Sequence, residues 1–104
     1  VTILFGADSA FLTSAGRAAL DEAARRLTDR PGLTVTVEGS ADSTGNPSRN
    51  LILARDRAWA ARQYLLDRGI VAERIRSLVN PPRAGGTEYE RQRLRHVRLT
   101  WEAP

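Results

Sequence analysis

The chain has 104 residues, 41% hydrophobic and 27% charged, with a formal net charge of +4 and no cysteine. That length and composition suit one ordinary globular core and argue against a disordered chain. The missing cysteine excludes a disulfide framework, a thiolate nucleophile and a cysteine-ligated metal, and no apolar run approaches the ~20 residues that a membrane-spanning helix needs.

In chain order, Val1 to Phe5 read as a short strand of β-branched and apolar residues. A loop over Gly6 to Leu12 leads to a helix cap at Thr13 or Ser14. Leu20, Ala23, Ala24 and Leu27 then recur at helical spacing, and Pro31-Gly32 ends that helix. Leu33, Val35 and Val37 alternate with Thr34, Thr36 and Glu38, the period of a strand with one buried face. Gly39 to Ser48 is a polar loop with turn composition.

The longest helix is expected over about Arg49 to Arg68, with Leu51, Ala54, Ala58, Ala61 and Leu65 as its apolar stripe. Trp59 and Tyr64 lie near the edge of that stripe and read as packing residues. Gly69 stands where a left-handed cap is wanted. A turn over Ile70 to Arg74 feeds a third strand at Ile75 to Val79. Glu88 to Leu94 form a brief helix, and Val97, Leu99 and Trp101 alternate with His96, Arg98 and Thr100 in the last strand. The fold class is therefore α/β: a two-layer sandwich of βαβαβαβ order, its helices on one face of a mixed four-stranded sheet. The chain starts at Val1 and lacks methionine, so residues 1–104 are expected to be one domain taken from a longer protein.

The chemistry of a catalyst is not visible. The lone His96 stands beside Arg95 and Arg98 without a serine–histidine–acid order. The loop from Gly39 to Gly45 lacks the lysine and following hydroxyl of a phosphate loop. No metal or cofactor site is expected. All sixteen basic side chains are arginine, interspersed with twelve acids. Only Arg91, Arg93, Arg95 and Arg98 form a dense run, and aromatics are few, so no nucleic-acid partner is expected.

One set of residues carries more. Gly39-Ser-Ala-Asp42-Ser-Thr44-Gly45 is followed by Asn50, Leu53, Arg57-Ala58, Tyr64-Leu65 and Gly69-Ile70. Phe5, Asp8-Ser9 and Leu12 precede it, and Arg91, Arg95 and Val97 follow. This pattern resembles the OmpA C-terminal-like family of peptidoglycan-binding domains, which includes outer-membrane proteins, peptidoglycan-associated lipoproteins and flagellar stator subunits. The resemblance implies the same two-layer sandwich and non-catalytic binding of the peptidoglycan stem peptide. It also implies a wall-facing, periplasmic location, with the parent protein in the outer or inner membrane.

The implied ligand is diaminopimelate, whose side chain ends in both an ammonium and a carboxylate. By resemblance Asp42 takes the ammonium and Arg57 forks onto the carboxylate. Thr44, Asn50, Asp8 and Arg95 match further positions of the same pocket. Read without the family, Asp42 and Arg57 are equally an ordinary ion pair between a strand end and a helix.

The match fails in places. Ser40 and Ala41 replace the usual histidine and threonine, Ala54 replaces a serine, and Gly6 stands where many members carry aspartate. Asn80-Pro81-Pro82 replaces a glycine-rich turn bearing a glutamate. Leu94 and His96 flank Arg95 where asparagine and a second arginine are common. A divergent member is expected, and the alternative is a degenerate domain that serves other envelope proteins as an assembly module without binding the wall.

Overall fold

The computed structural model describes all 104 residues. Its elements are β1 (Thr2–Leu4), α1 (Ser14–Asp29), β2 (Thr34–Gly39), α2 (Pro47–Asp67), β3 (Ile75–Val79), α3 (Glu88–Leu94) and β4 (His96–Glu102). A single 3-10 turn, Ala72–Arg74, precedes β3. The expected order of strands and helices is the observed one.

Helix ends follow local chemistry. The Thr13 hydroxyl accepts from the Gly16 N–H at 3.0 Å and caps α1. Helix α2 starts two residues earlier than its apolar spacing suggested. Asn46 accepts from the Arg49 N–H at 3.0 Å, and Pro47 occupies the first turn, where a missing N–H costs nothing. Gly69 holds φ at +89°, the left-handed conformation expected beyond the end of α2. At the far end of α1, Arg74 donates to the carbonyls of Leu27 and Arg30 at 2.7 Å each, satisfying groups the helix leaves open.

The sheet order is β1-β4-β2-β3. Strands β2 and β3 are parallel, as the α2 crossover between them requires, while β4 runs antiparallel to both β1 and β2. Val35, Val37, Val97 and Leu99 meet Leu20, Leu27, Ala58, Ala61 and Leu65 in one core under the helices. The other face is polar at its centre, where Arg98 of β4 pairs with Glu38 of β2 at 2.8 Å.

Two features of this packing position the pocket described below. Gly39 pairs with Val97, so the residues after β2 lie beside those before β4. Gly39 is also where α2 presses closest: a Cβ there would stand 2.0 Å from the Ala54 carbonyl oxygen. Only glycine lets strand and helix meet this tightly.

Two packing expectations need correction. Trp59 is 58% exposed and Leu51 is 49% exposed. Trp59 follows the buried Ala58, and one residue turns the helix by about 100°, which carries the indole off the sheet. Leu51 opens the second turn of α2, at the edge of the buried arc. Tyr64 does pack against the core, and its hydroxyl donates to Asp21 of α1 at 2.8 Å. The basic run near the C-terminus is largely neutralised: Arg91 pairs with Glu88, Arg95 with Asp42 and Glu88, and Arg98 with Glu38.

Candidate functional site

Arg57 projects from the middle of α2 and is 1% exposed. Its Nε donates to the Ser9 carbonyl at 2.9 Å, Nη1 to Ser40 at 3.0 Å and Nη2 to Gly6 at 3.2 Å. Its guanidinium also lies 5.6 Å from the centre of the Phe5 ring. One side chain thus ties the loop after β1 to the segment after β2. Burial, and next the Arg95 charge, pull the Arg57 guanidinium below the ordinary arginine value. Three of its five N–H groups are committed, which leaves two.

Asp42 lies three residues past β2 and is 7% exposed. Its Oδ1 accepts from the Thr44 N–H at 2.8 Å, an Asx turn, and its Oδ2 accepts from Arg95 Nε at 2.7 Å. Its ion-pair partner is therefore Arg95, and not Arg57. Burial pushes the Asp42 carboxyl up, but the Arg95 and Thr44 hydrogen bonds outweigh it and hold the group below its ordinary value.

Arg95 does double duty. Its Nη1 donates to Glu88 at 2.8 Å, and that bond, ahead of the Asp42 bond, raises its value. Glu88 is held below the ordinary carboxylate range, first by the Arg95 hydrogen bond.

The remaining residues form the rim. Asn50 Nδ2 donates to the Thr44 carbonyl at 2.7 Å and closes the loop onto α2. Asp8 accepts from Arg49 Nε at 2.7 Å and holds φ at +56°, a left-handed conformation that aspartate tolerates better than most side chains.

All six residues singled out from the sequence line one cavity of about 190 Å³. They are Asp8, Asp42, Thr44, Asn50, Arg57 and Arg95, and they come from the first loop, the loop after β2, the face of α2 and the residue before β4. Ala7, Ala41 and Leu53 complete the wall. The charged lining is two acids and two arginines. Such a surface suits a ligand carrying both signs of charge.

Sequence reasoning missed two participants. Glu88 clamps Arg95 from α3, and its seven-residue separation, two turns of helix, was a usable signal. Arg49 pairs with Asp8 across 41 residues of sequence, and nothing in the local pattern announced that contact.

A sequence model described as the OmpA family matches residues 4–94. The chain belongs to that family. Among its relatives is the peptidoglycan-associated lipoprotein of Rhizobium meliloti (strain 1021), 38% identical over 76 residues, 73% of this chain and 43% of that protein. The peptidoglycan-binding protein ArfA of Mycobacterium tuberculosis (strain ATCC 25618 / H37Rv) is 33% identical over 101 residues, 93% of this chain and 31% of ArfA. The chain therefore spans less than half the length of these relatives.

Solved structures agree on the fold of this OmpA-family chain. The peptidoglycan-associated lipoprotein from Burkholderia pseudomallei superposes with a TM-score of 0.89 at 23% identity, covering 97% of this chain and 89% of that one. The C-terminal domain of Helicobacter pylori MotB gives a TM-score of 0.86 at 16% identity, covering 100% and 85%.

Proposed function

We propose that this OmpA-family chain binds peptidoglycan non-covalently, through the diaminopimelate of the stem peptide, and anchors a longer envelope protein to the cell wall. The observation that carries the reading is the convergence of two carboxylates and two guanidiniums on one small cavity. Relatives whose names describe peptidoglycan association or binding support it. A relative named as an outer membrane protein supports a wall-facing position in the envelope.

The division of labour follows from which donors are free. Asp42 is the acceptor for the ligand ammonium, since a carboxylate has lone pairs beyond the two bonds it makes here. The ligand carboxylate meets the two uncommitted N–H groups of Arg57 and the Nη groups of Arg95, the latter after exchange with Glu88. Thr44, Asn50 and Asp8 hold the rim. The role is binding, without bond-making chemistry and without a cofactor.

The test is an NMR titration with a diaminopimelate-containing muropeptide on the native chain and on Asp42→Asn. Saturable shifts around Asp8, Asp42 to Asn50 and Arg95, weakened at least tenfold in the variant, support the reading. Equal affinity for lysine-containing stems, or a silent spectrum at millimolar ligand, refutes it. A second reading is a protein-assembly module. The outward face of α2 favours it, because Leu51, Ile52 and Trp59 are all about half exposed there. It gains ground if the muropeptide spectrum is silent.

A further inference from the structure

A second pocket adjoins the same Ser40–Asp42 segment, and its chemistry differs. It measures about 440 Å³ and is lined by Ser40, Asn80, Arg83, His96 and Arg98, with Pro81-Pro82 as part of its wall. Neighbours in sequence divide between the two cavities: Ala41 and Arg95 line the first, Ser40 and His96 the second. The first is balanced in charge. The second has two arginines and a histidine in its lining and no acid.

Its donors are largely uncommitted. Arg83 makes side-chain ion pairs with no carboxylate, and Arg98 gives only Nη2 to Glu38, at 2.8 Å. The Ser40 hydroxyl accepts from Asn80 Nδ2 at 3.1 Å, so its own proton remains to donate. Ser40 is 4% exposed, which places that hydroxyl in a protected setting where a hydrogen bond counts for more.

The frame is fixed before any ligand arrives. The Asn80 N–H donates to Gly39 at 2.9 Å, the Arg83 N–H to Ala41 at 3.2 Å, and the Ser43 N–H to Arg83 at 2.9 Å. Between these anchors the two prolines lock their own φ angles.

We propose that this pocket binds an oxyanion, a phosphate or carboxylate group, held between Arg83 and Arg98 with Ser40 and Asn80 as neutral donors. Guanidinium forks match the planar edge of either group. The inference does not depend on the stem-peptide reading, because the two cavities use different side chains.

Titration of the whole chain with inorganic phosphate, followed by amide and histidine-ring NMR, tests it. Saturable shifts at Ser40, Asn80, Arg83 and His96, weakened roughly tenfold or more in Arg83→Gln, are expected. Shifts spread without saturation over all exposed arginines overturn it, as does unchanged affinity in the variant. The source is read from two further arms. A muropeptide that shifts this set together with Asp42 to Asn50 identifies a wall carboxylate, whereas a response to phosphate alone identifies a phosphate group. Arg83→Gln keeps its muropeptide shifts at the first cavity, which separates failure here from failure of the stem-peptide reading.

Discussion

Arg57 Nη1 donates to the Ser40 carbonyl at 3.0 Å in a fully buried bond, joining the centre of α2 to the segment that carries Asp42. With the bonds to Ser9 and Gly6, this makes Arg57 the post on which the pocket hangs. Arg57→Ala leaves three carbonyls without that donor and empties a buried volume. We expect a loss of roughly 3 kcal/mol or more in denaturant unfolding. Loss of ligand binding in that variant therefore says little about ligand contact, and Asp42→Asn is the cleaner probe.

Gly39→Ala is expected to be worse than its size suggests. The new Cβ stands 2.0 Å from the Ala54 carbonyl oxygen and 2.9 Å from the Ala58 Cβ, so β2 and α2 must part. Overpacking of this kind costs about 1–3 kcal/mol where side chains yield, and more where backbone must. Thermal unfolding by circular dichroism reads it; an unchanged midpoint contradicts the packing described.

Glu88→Gln tests whether α3 restrains the pocket. Glu88 occupies the Arg95 Nη groups that a ligand carboxylate would need. Glu88 is solvent-exposed, so the competition is modest, and muropeptide affinity should rise by about two- to fivefold. A fall in affinity would show that Glu88 positions Arg95 instead of withholding it.

Acid should loosen the same corner. Asp42 and Glu88 both have folded-state values below their ordinary ones. The stabilisation they give is fully present above their unfolded values, about 3.9 and 4.3, and is lost as pH falls through the lower folded values. Stability measured from pH 7 downward should stay level on their account to about pH 5 and then decline. In Asp42→Asn the decline should be shallower.

How much of this was legible beforehand varies by residue. Period-two alternation in Val35, Val37, Val97 and Leu99 gave the central strands, and helical spacing in Leu20, Ala23, Ala24 and Leu27 gave α1, because each pattern records burial directly. The pocket's membership was legible only through a spaced pattern running from Asp8 to Arg95. Its wiring was not. Which arginine pairs with Asp42 depends on where β4 begins relative to Gly39, a tertiary register that local sequence does not encode. Trp59 misled because an aromatic beside an apolar stripe looks buried until the width of the buried arc is known.

The place of β4 in the sheet has a temporal consequence. The fourth strand in chain order lies between β1 and β2, and its pairing joins Thr34 to Glu102. A growing chain therefore cannot complete this sheet until β4 has emerged, and until then β1 has no partner strand. Closure of this domain is therefore a late event in its own translation: β2, α2 and β3 can meet early, but the sheet is completed only when β4 slots in between β1 and β2.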